Sequence, residues 1–225
     1  MAPNYALLAV LVAVDVVVIL IAAAYEAGLV EHPWFSLNQD PNLSERYQHV
    51  KLLLIVVGGV WLYRERRQPV FAALAALFAA VLIDDVATLH ESMGLVLVAP
   101  LGLEPAYGMR ARDFGEIVFL ASWAVPLMGV AGVAYTRSDA RARYVARMTA
   151  AAVAALAFFG VGADALHRVG SLWVDEYGLD LKLKFVMSAF EEGGELVVTS
   201  VMVATAYALC KSLRAAREAE ATSRP

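Results

Sequence analysis

The chain has 225 residues, of which 60% are hydrophobic and only 18% are charged. A water-soluble domain carries about 25% charged residues, and here the apolar residues form long blocks between short charged loops, so a soluble globular protein is excluded. The net charge of −4 argues against a nucleic-acid partner, and the single cysteine, Cys210, excludes an internal disulfide and a cysteine-based metal motif.

Hydropathy predicts an all-α fold, a six-helix transmembrane bundle that forms one domain over residues 1–213. The predicted spans are, in chain order, 5–24, 44–63, 70–91, 114–135, 148–168 and 185–210. The first span has no Lys or Arg before it and contains Asp15, so we interpret it as a retained helix and not as a signal peptide. The polar residues 214–225 are predicted to form a frayed cytoplasmic tail.

Basic residues set the predicted orientation of the bundle. They cluster after the second, fourth and sixth spans, at Arg64, Arg66, Arg67, Arg137, Arg141, Arg143, Arg147, Lys211, Arg214 and Arg217. Short basic segments lie on the cytoplasmic side of membranes, so both termini are predicted to be cytoplasmic and the protein to reside in a bacterial inner (plasma) membrane. The apolar stretch 94–101 is too short to cross, and we expect the segment 92–113 to lie along the outer interface or to re-enter it as a lid.

Ionisable residues gather at the outer end of five predicted spans. They are Glu45 and His49 in the second span, Asp84, Asp85, His90 and Glu91 in the third, Asp113 and Glu116 in the fourth, Asp164 and His167 in the fifth, and Glu191, Glu192 and Glu195 in the sixth. Because each charge is costly in hydrocarbon, we predict that these groups meet in one layer beneath the outer leaflet. Asp15 stands alone in the first span, and we assign it to a hydrogen bond or to a proton path.

The spacing of these residues favours a metal site. Asp164 and His167 form the acid-x-x-His pair of carboxylate-bridged di-metal bundles, while the histidines of three helices suit a zinc site with an open position for water. The predicted metal ligands are Glu45, His49, Asp84, His90, Asp164, His167, Glu192 and Glu195, and the predicted general acids or bases are Glu116, Asp85 and Glu191. Oxygen and imidazole donors suit divalent iron, zinc or manganese.

Three motifs carry a family resemblance. They are Asp40–Glu45 (DPNLSE), Leu82–Glu91 (LIDDVATLHE) and Phe190–Glu195 (FEEGGE). They resemble motifs of a group of uncharacterised bacterial multi-pass membrane proteins, over most of the chain from about residue 34. The resemblance implies a polytopic membrane protein with a shared layer of acids and histidines, and it implies no activity.

Three functions remain open at this point. The first is a metal-dependent oxidoreductase or hydrolase that acts on a lipid or other hydrophobic small molecule entering from the outer leaflet. The second is a cation or proton transporter that uses the same cluster, although inverted repeats are not evident. The third is a non-enzymatic subunit in which Arg and Lys pair with the acids in a structural network. The oligomeric state is left open.

Overall fold

The computed structural model describes residues 4–37, 39, 41–163 and 181–222. In this part of the chain the helices are α1 (Tyr5–Glu26), α2 (Leu43–Arg66), α3 (Pro69–Val86), α4 (Leu89–Leu101), α5 (Ala111–Thr136), α6 (Ala140–Ala157) and α7 (Leu181–Thr222). A π-helical segment, Phe158–Ala163, prolongs α6, and a 3-10 turn follows α1 at Pro33–Phe35. No strand occurs among the described residues, so the all-α prediction is confirmed.

Five helices of the described chain are long and apolar enough to cross a membrane. They are Tyr5–Glu26, Pro69–Val86, Ala111–Thr136, Ala140–Gly160 and Phe185–Ala219. The protein is therefore a multi-pass membrane protein whose apolar surface suits a lipid bilayer. α2 is not among the five, because Glu45, Arg46 and Lys51 interrupt its apolar run near the start.

α2 and α7 form the centre of the bundle. One buried cluster joins α2, α3 and α7 through Leu52, Phe78 and Met202, and a second joins them to α6 nearer the basic end through Leu62 and Leu209. α5 lies at the periphery, since only 6% of its apolar window is buried inside the protein, against 39% for α3. Most of its apolar side chains are thus left for lipid.

The predicted third span is wrong at its C-terminal end, because the helix breaks there. α3 ends at Val86, and Thr88 adopts a left-handed conformation with φ of 47° before α4 begins. His90 and Glu91 therefore lie on α4 and not on the helix that carries Asp84. A β-branched residue with positive φ is uncommon, so this break is not predictable from the residue types at this position.

The segment 92–113 belongs to α4 in its first half, and α4 packs against α5. The crossing depends on two glycines, since a Cβ atom on Gly115 would overlap the carbonyl group of Gly94. Glycine at both positions lets the two backbones approach closely. The packing brings the first turns of α4 beside the first turns of α5.

The last two helices extend beyond their predicted bounds. α6 begins at Ala140 because Asp139 caps it, accepting a hydrogen bond of 2.7 Å from the Ala142 N–H. α7 continues to Thr222, so the prediction of a frayed tail is wrong for residues 214–222. Arg217 reaches Glu65 at the end of α2 over 2.5 Å, which ties this part of α7 to the bundle.

Candidate functional site

A cavity of about 480 Å³ lies among α2, α3, α5, α6 and α7, with His90 of α4 in its wall. Its polar lining consists of Gln48, Asp84, Asp85, His90, Asp113, Glu116, Glu191 and Glu195. Its remaining walls are apolar, with Trp123 and Met128 of α5 and Leu156 of α6 among them. The volume falls in the range of roughly 300–1,000 Å³ that is typical of small-molecule sites. One cavity therefore offers a set of acids and an apolar chamber.

His90 and Asp84 form the first polar contact of the site. The break at Thr88 turns the start of α4 back toward α3, and His90 Nδ1 lies 3.0 Å from Asp84 Oδ2. This hydrogen bond raises the pKa of His90 above its ordinary value of 6.5, because a nearby carboxylate favours the imidazolium. The other oxygen of the buried Asp84 carboxylate, Oδ1, has no hydrogen-bond partner among the described residues.

His49 and Asp85 form the second contact. His49 Nε2 lies 2.9 Å from Asp85 Oδ2 and 3.8 Å from Glu45 Oε1. Glu45 also accepts a 3.2 Å hydrogen bond from the Asn42 backbone, so its carboxylate closes the capping box of α2. His49 and Glu45 do not line the cavity, whereas Asp85 does.

The carboxylates of α7 are held by one face of α2. Ser44 Oγ donates to Glu192 over 2.8 Å, and Gln48 Nε2 donates to Glu195 over 2.6 Å. Ser44 and Gln48 are four residues apart and share a helical face, so they match the three-residue spacing of the two glutamates. Sequence reasoning missed Gln48 because it is uncharged, although its place one turn after Ser44 was a usable signal.

The π-helical segment after α6 makes room for Glu195. A Cβ atom on Gly160 would overlap Oε1 of Glu195, so only glycine fits this carboxylate against α6. Irregular π-helical turns inside helices are frequent at functional sites. Here the irregular turn forms part of the cavity wall beside Glu195.

At the rim of the cavity, two arginines at the start of α5 form ion pairs with acids. Arg112 lies 2.6 Å from Glu116 and 3.0 Å from Glu91, and Arg110 lies 3.0 Å from Asp113. These ion pairs are of the kind expected for the third function above, in which Arg and Lys pair with the acids in a structural network. Glu116 lines the cavity as expected of a catalytic residue, but its carboxylate is already held by the Arg112 guanidinium.

Asp15, which the sequence assigns to a hydrogen bond or to a proton path, is hydrogen-bonded to residues of α2 and α7. Lys51 Nζ lies 2.5 Å from Asp15 Oδ1 and 2.8 Å from the Leu196 carbonyl oxygen. Ser200 donates to the other oxygen of Asp15 over 2.7 Å. Lys51 thus turns toward α1 and does not line the acidic cavity.

The predicted site residues divide into three groups. Asp84, Asp85, His90, Glu116, Glu191 and Glu195 line the cavity, Glu45, His49 and Glu192 lie outside its lining, and Asp164 and His167 lie outside the described residues. Within the described part of the chain, no three His, Cys, Asp or Glu side chains are arranged to hold a metal ion. Glu195, Asp84, Asp85 and Glu116 instead each contact a different partner, which is Gln48, His90, His49 and Arg112 in turn.

The helices and the cavity fall within a single family match. A family model described as "Domain of unknown function (DUF8692)" matches residues 4–210. The chain belongs to this family. No curated protein and no solved structure matches the chain. The DUF8692 match runs from the start of α1 to the last apolar turns of α7, so it includes every described residue of the acidic cavity.

Proposed function

We propose that this protein is a membrane-embedded enzyme that binds one or two divalent metal ions at the acidic end of the cavity and acts on a hydrophobic molecule held at the apolar end. The observation that carries the proposal is that carboxylates of α3, α5 and α7 share one cavity with an apolar chamber. Buried carboxylates are costly unless a cation accompanies them. The donor set suits iron, zinc or manganese.

The proposed ligands are four of the lining groups that the rim arginines do not hold, namely Asp84, Asp85, Glu195 and His90. Asp84 offers a buried oxygen with no partner in the described chain. Glu195 would exchange its hydrogen bond from Gln48 for a bond to the metal. His49, beside Asp85, would orient that ligand from outside the cavity. A bound metal would supply activated water or dioxygen for a hydrolysis or an oxidation.

Metal analysis of protein purified without chelator tests the shared site. We expect tight, stoichiometric iron, zinc or manganese in the wild type, and at least a tenfold loss in the double variant Asp84→Asn/Glu195→Gln. Glu65→Gln is the matched control, because Glu65 undergoes the same change at the opposite end of α2, where it pairs with Arg217. Equal metal content in the wild type and the double variant would contradict the proposal.

Cation or proton transport is the second candidate, and one observation favours it. Below the cavity, the Leu196 carbonyl oxygen accepts hydrogen bonds from both Lys51 and Thr199, and Lys51 continues to Asp15. Polar contacts thus lead from the neighbour of Glu195 deeper into the bundle. Flux of protons or metal into proteoliposomes that Asp15→Asn abolishes, while metal binding persists, would favour transport over catalysis.

We further propose that α2 crosses the membrane as a sixth span, with both termini in the cytoplasm of a bacterial cell. The support is that basic residues follow α2, α5 and α7 at one end of the bundle, while the acidic cavity lies toward the other. A cysteine at Arg217, introduced after Cys210→Ser, should react with a membrane-impermeant thiol reagent only after cell lysis. Labelling in intact cells would show that the C-terminus lies outside the cytoplasm and that the proposed orientation is wrong.

A further inference from the structure

The cavity is long and runs parallel to the helices. On α5 its lining residues recur every three or four positions, at Asp113, Glu116, Leu120, Ala124 and Met128. These positions form one helical face, and fifteen steps of 1.5 Å give a length of roughly 22 Å between the first and the last. The two acids stand at one end of this face and apolar side chains follow, so polarity changes along the cavity in one direction.

The apolar end opens toward lipid. Met128 lines the cavity and is also 48% exposed, and α5, which carries it, is the peripheral helix of the bundle. Val153 and Leu156 of α6 form the opposite side of this end. A hydrocarbon chain can therefore extend from the cavity past Met128 into the bilayer without crossing a polar barrier.

The polar end of the cavity contains two buried hydrogen-bond acceptors that lack a donor among the described residues. Asp84 Oδ1 and Gln48 Oε1 are buried atoms of lining residues, and neither has a hydrogen-bond partner among the described residues. An amide oxygen and an ionised carboxylate oxygen accept hydrogen bonds and do not donate them. The neighbouring carboxylates of Asp85 and Glu191 repel an anion at this end. A head group that fits must donate a hydrogen bond and carry no negative charge.

We propose that the cavity binds a single-chain amphiphile, a long-chain alcohol or amine, with its head group donating to Asp84 and Gln48 and its chain lying along α5 to Met128. This inference rests on the proposed function in that it names the class of hydrophobic molecule taken by the same cavity, and it concerns the metal-free cavity, in which Asp84 Oδ1 has no partner among the described residues. A hydroxyl or amino head stands beside the proposed metal ligands Asp84 and Asp85, and the chain fixes its orientation.

Photolabelling in nanodiscs tests this assignment with samples whose metal is first measured and then removed by chelator. The three probes, hexadecanol, hexadecylamine and hexadecanoic acid, have equal length, and each carries a diazirine at the far end of the chain. The alcohol or the amine should label peptides of α5 and α6 around Met128 and Val153, and the acid at least tenfold less at pH 7. Comparison of the first two probes separates a hydroxyl from an amino head. Labelling by the acid as strong as by both other probes would overturn the inference.

Variants that fill the apolar end supply the structural control. Ala124→Trp and, from the α6 side, Ala157→Phe should each reduce labelling at least tenfold, with thermal unfolding showing that they fold. Val125→Trp should label as the wild type does, because Val125 is 59% exposed and does not line the cavity. Undiminished labelling in both filled variants would overturn the inference.

Metal content measured in the same samples separates the two proposals. Ala124→Trp lies far from the acids and should keep the wild-type metal content. Labelling that depends on an unfilled cavity, in protein that binds no metal, would remove the metal-dependent enzyme and leave the amphiphile site standing. If Asp84→Asn/Glu195→Gln abolishes metal binding and the filled variants do not affect labelling, the metal site would stand and the amphiphile site would be removed.

Discussion

Lys51 of α2 and Asp15 of α1 form an ion pair of 2.5 Å in which neither side chain is more than 3% exposed. The pair is complete, because Ser200 donates to the second oxygen of Asp15 and the Leu196 carbonyl oxygen accepts from Lys51. The Lys51 ammonium also lies 4.2 Å from the centre of the Tyr47 ring. Asp15, Lys51 and Ser200 each have a hydrogen-bond partner in this network, and such a network specifies one packing of the helices it joins, here α1, α2 and α7.

Lys51→Met should destabilise the protein by about 3–5 kcal/mol, the usual cost of leaving one member of a buried ion pair without its partner. Thermal unfolding in detergent measures the loss. The double variant Asp15→Leu/Lys51→Met should recover most of it, since it leaves no buried charge. Lys211→Met, which changes an exposed lysine of α7, should have little effect. A double variant no more stable than Lys51→Met would show that charge burial is not the cause.

Gly115→Ala should separate α4 from α5, because the new methyl group would overlap the Gly94 carbonyl group. Overpacking of this kind costs about 1–3 kcal/mol, which a fall in the unfolding temperature would report. Gly129→Ala is the matched control on the same helix, since a Cβ atom there meets nothing within 4 Å. The control should be neutral or stabilising by up to about 1 kcal/mol. Equal stability of the two variants would rule out a close α4–α5 crossing.

Much of the fold could be predicted because local chemistry determines it. The long apolar runs set the helices, and hydropathy predicted the start of α2 at residue 44, one residue after the observed start at Leu43. The end of α3 could not be predicted in this way. Nothing in Ala87-Thr88 resembles the glycine or proline that normally ends a helix, and the left-handed Thr88 depends on the packing of α4 against α5.

The depth of the site's acids along the helices could be predicted from the sequence, but the partner that each acid contacts could not. Hydropathy placed acids of separate helices at one level, and six of the predicted residues do line one cavity. Which partner each acid meets depends on the rotation of each helix about its axis, and spacing within one helix does not fix that angle. Lys51 shows this, since it lies three residues after Gln48, which lines the cavity, yet contacts Asp15 of α1. Glu45 lies outside the cavity lining, and the spacing of residues within α2 does not predict this.

Gly160→Ala should displace the Glu195 carboxylate from its place against α6, where the new methyl group would overlap Oε1. If Glu195 is a metal ligand, the affinity for metal should fall roughly 10–100-fold, the range seen when the surroundings of a ligand are disturbed. Competition with a metal-sensitive dye measures the affinity. Gly162→Ala is the control, because its nearest neighbour is a Phe158 ring atom at an ordinary 3.5 Å. Unchanged affinity in Gly160→Ala would remove Glu195 from the ligand set.

The hydrogen bond between His90 and Asp84 should make the stability of the metal-free protein depend on pH. Asp84 raises the pKa of His90 in the folded protein above the ordinary value of 6.5, so the folded state holds this proton more tightly than the unfolded state does. The resulting stabilisation is fully present below pH 6.5 and is lost as the pH rises through the higher folded-state pKa, because the folded state then releases its proton as well.

Thermal unfolding of chelator-treated protein between about pH 5 and pH 9 measures this dependence against the ordinary imidazole range. The unfolding temperature of the wild type should fall, relative to that of His90→Gln, as the pH rises above 6.5. Asp84→Asn should remove the same difference, since it removes the charge that holds the proton. His32→Gln is the matched control, because His32 lies in the loop after α1, where its ring accepts a hydrogen bond from Trp34. If the wild type and His90→Gln follow parallel curves, the Asp84–His90 contact does not hold a proton in the folded protein.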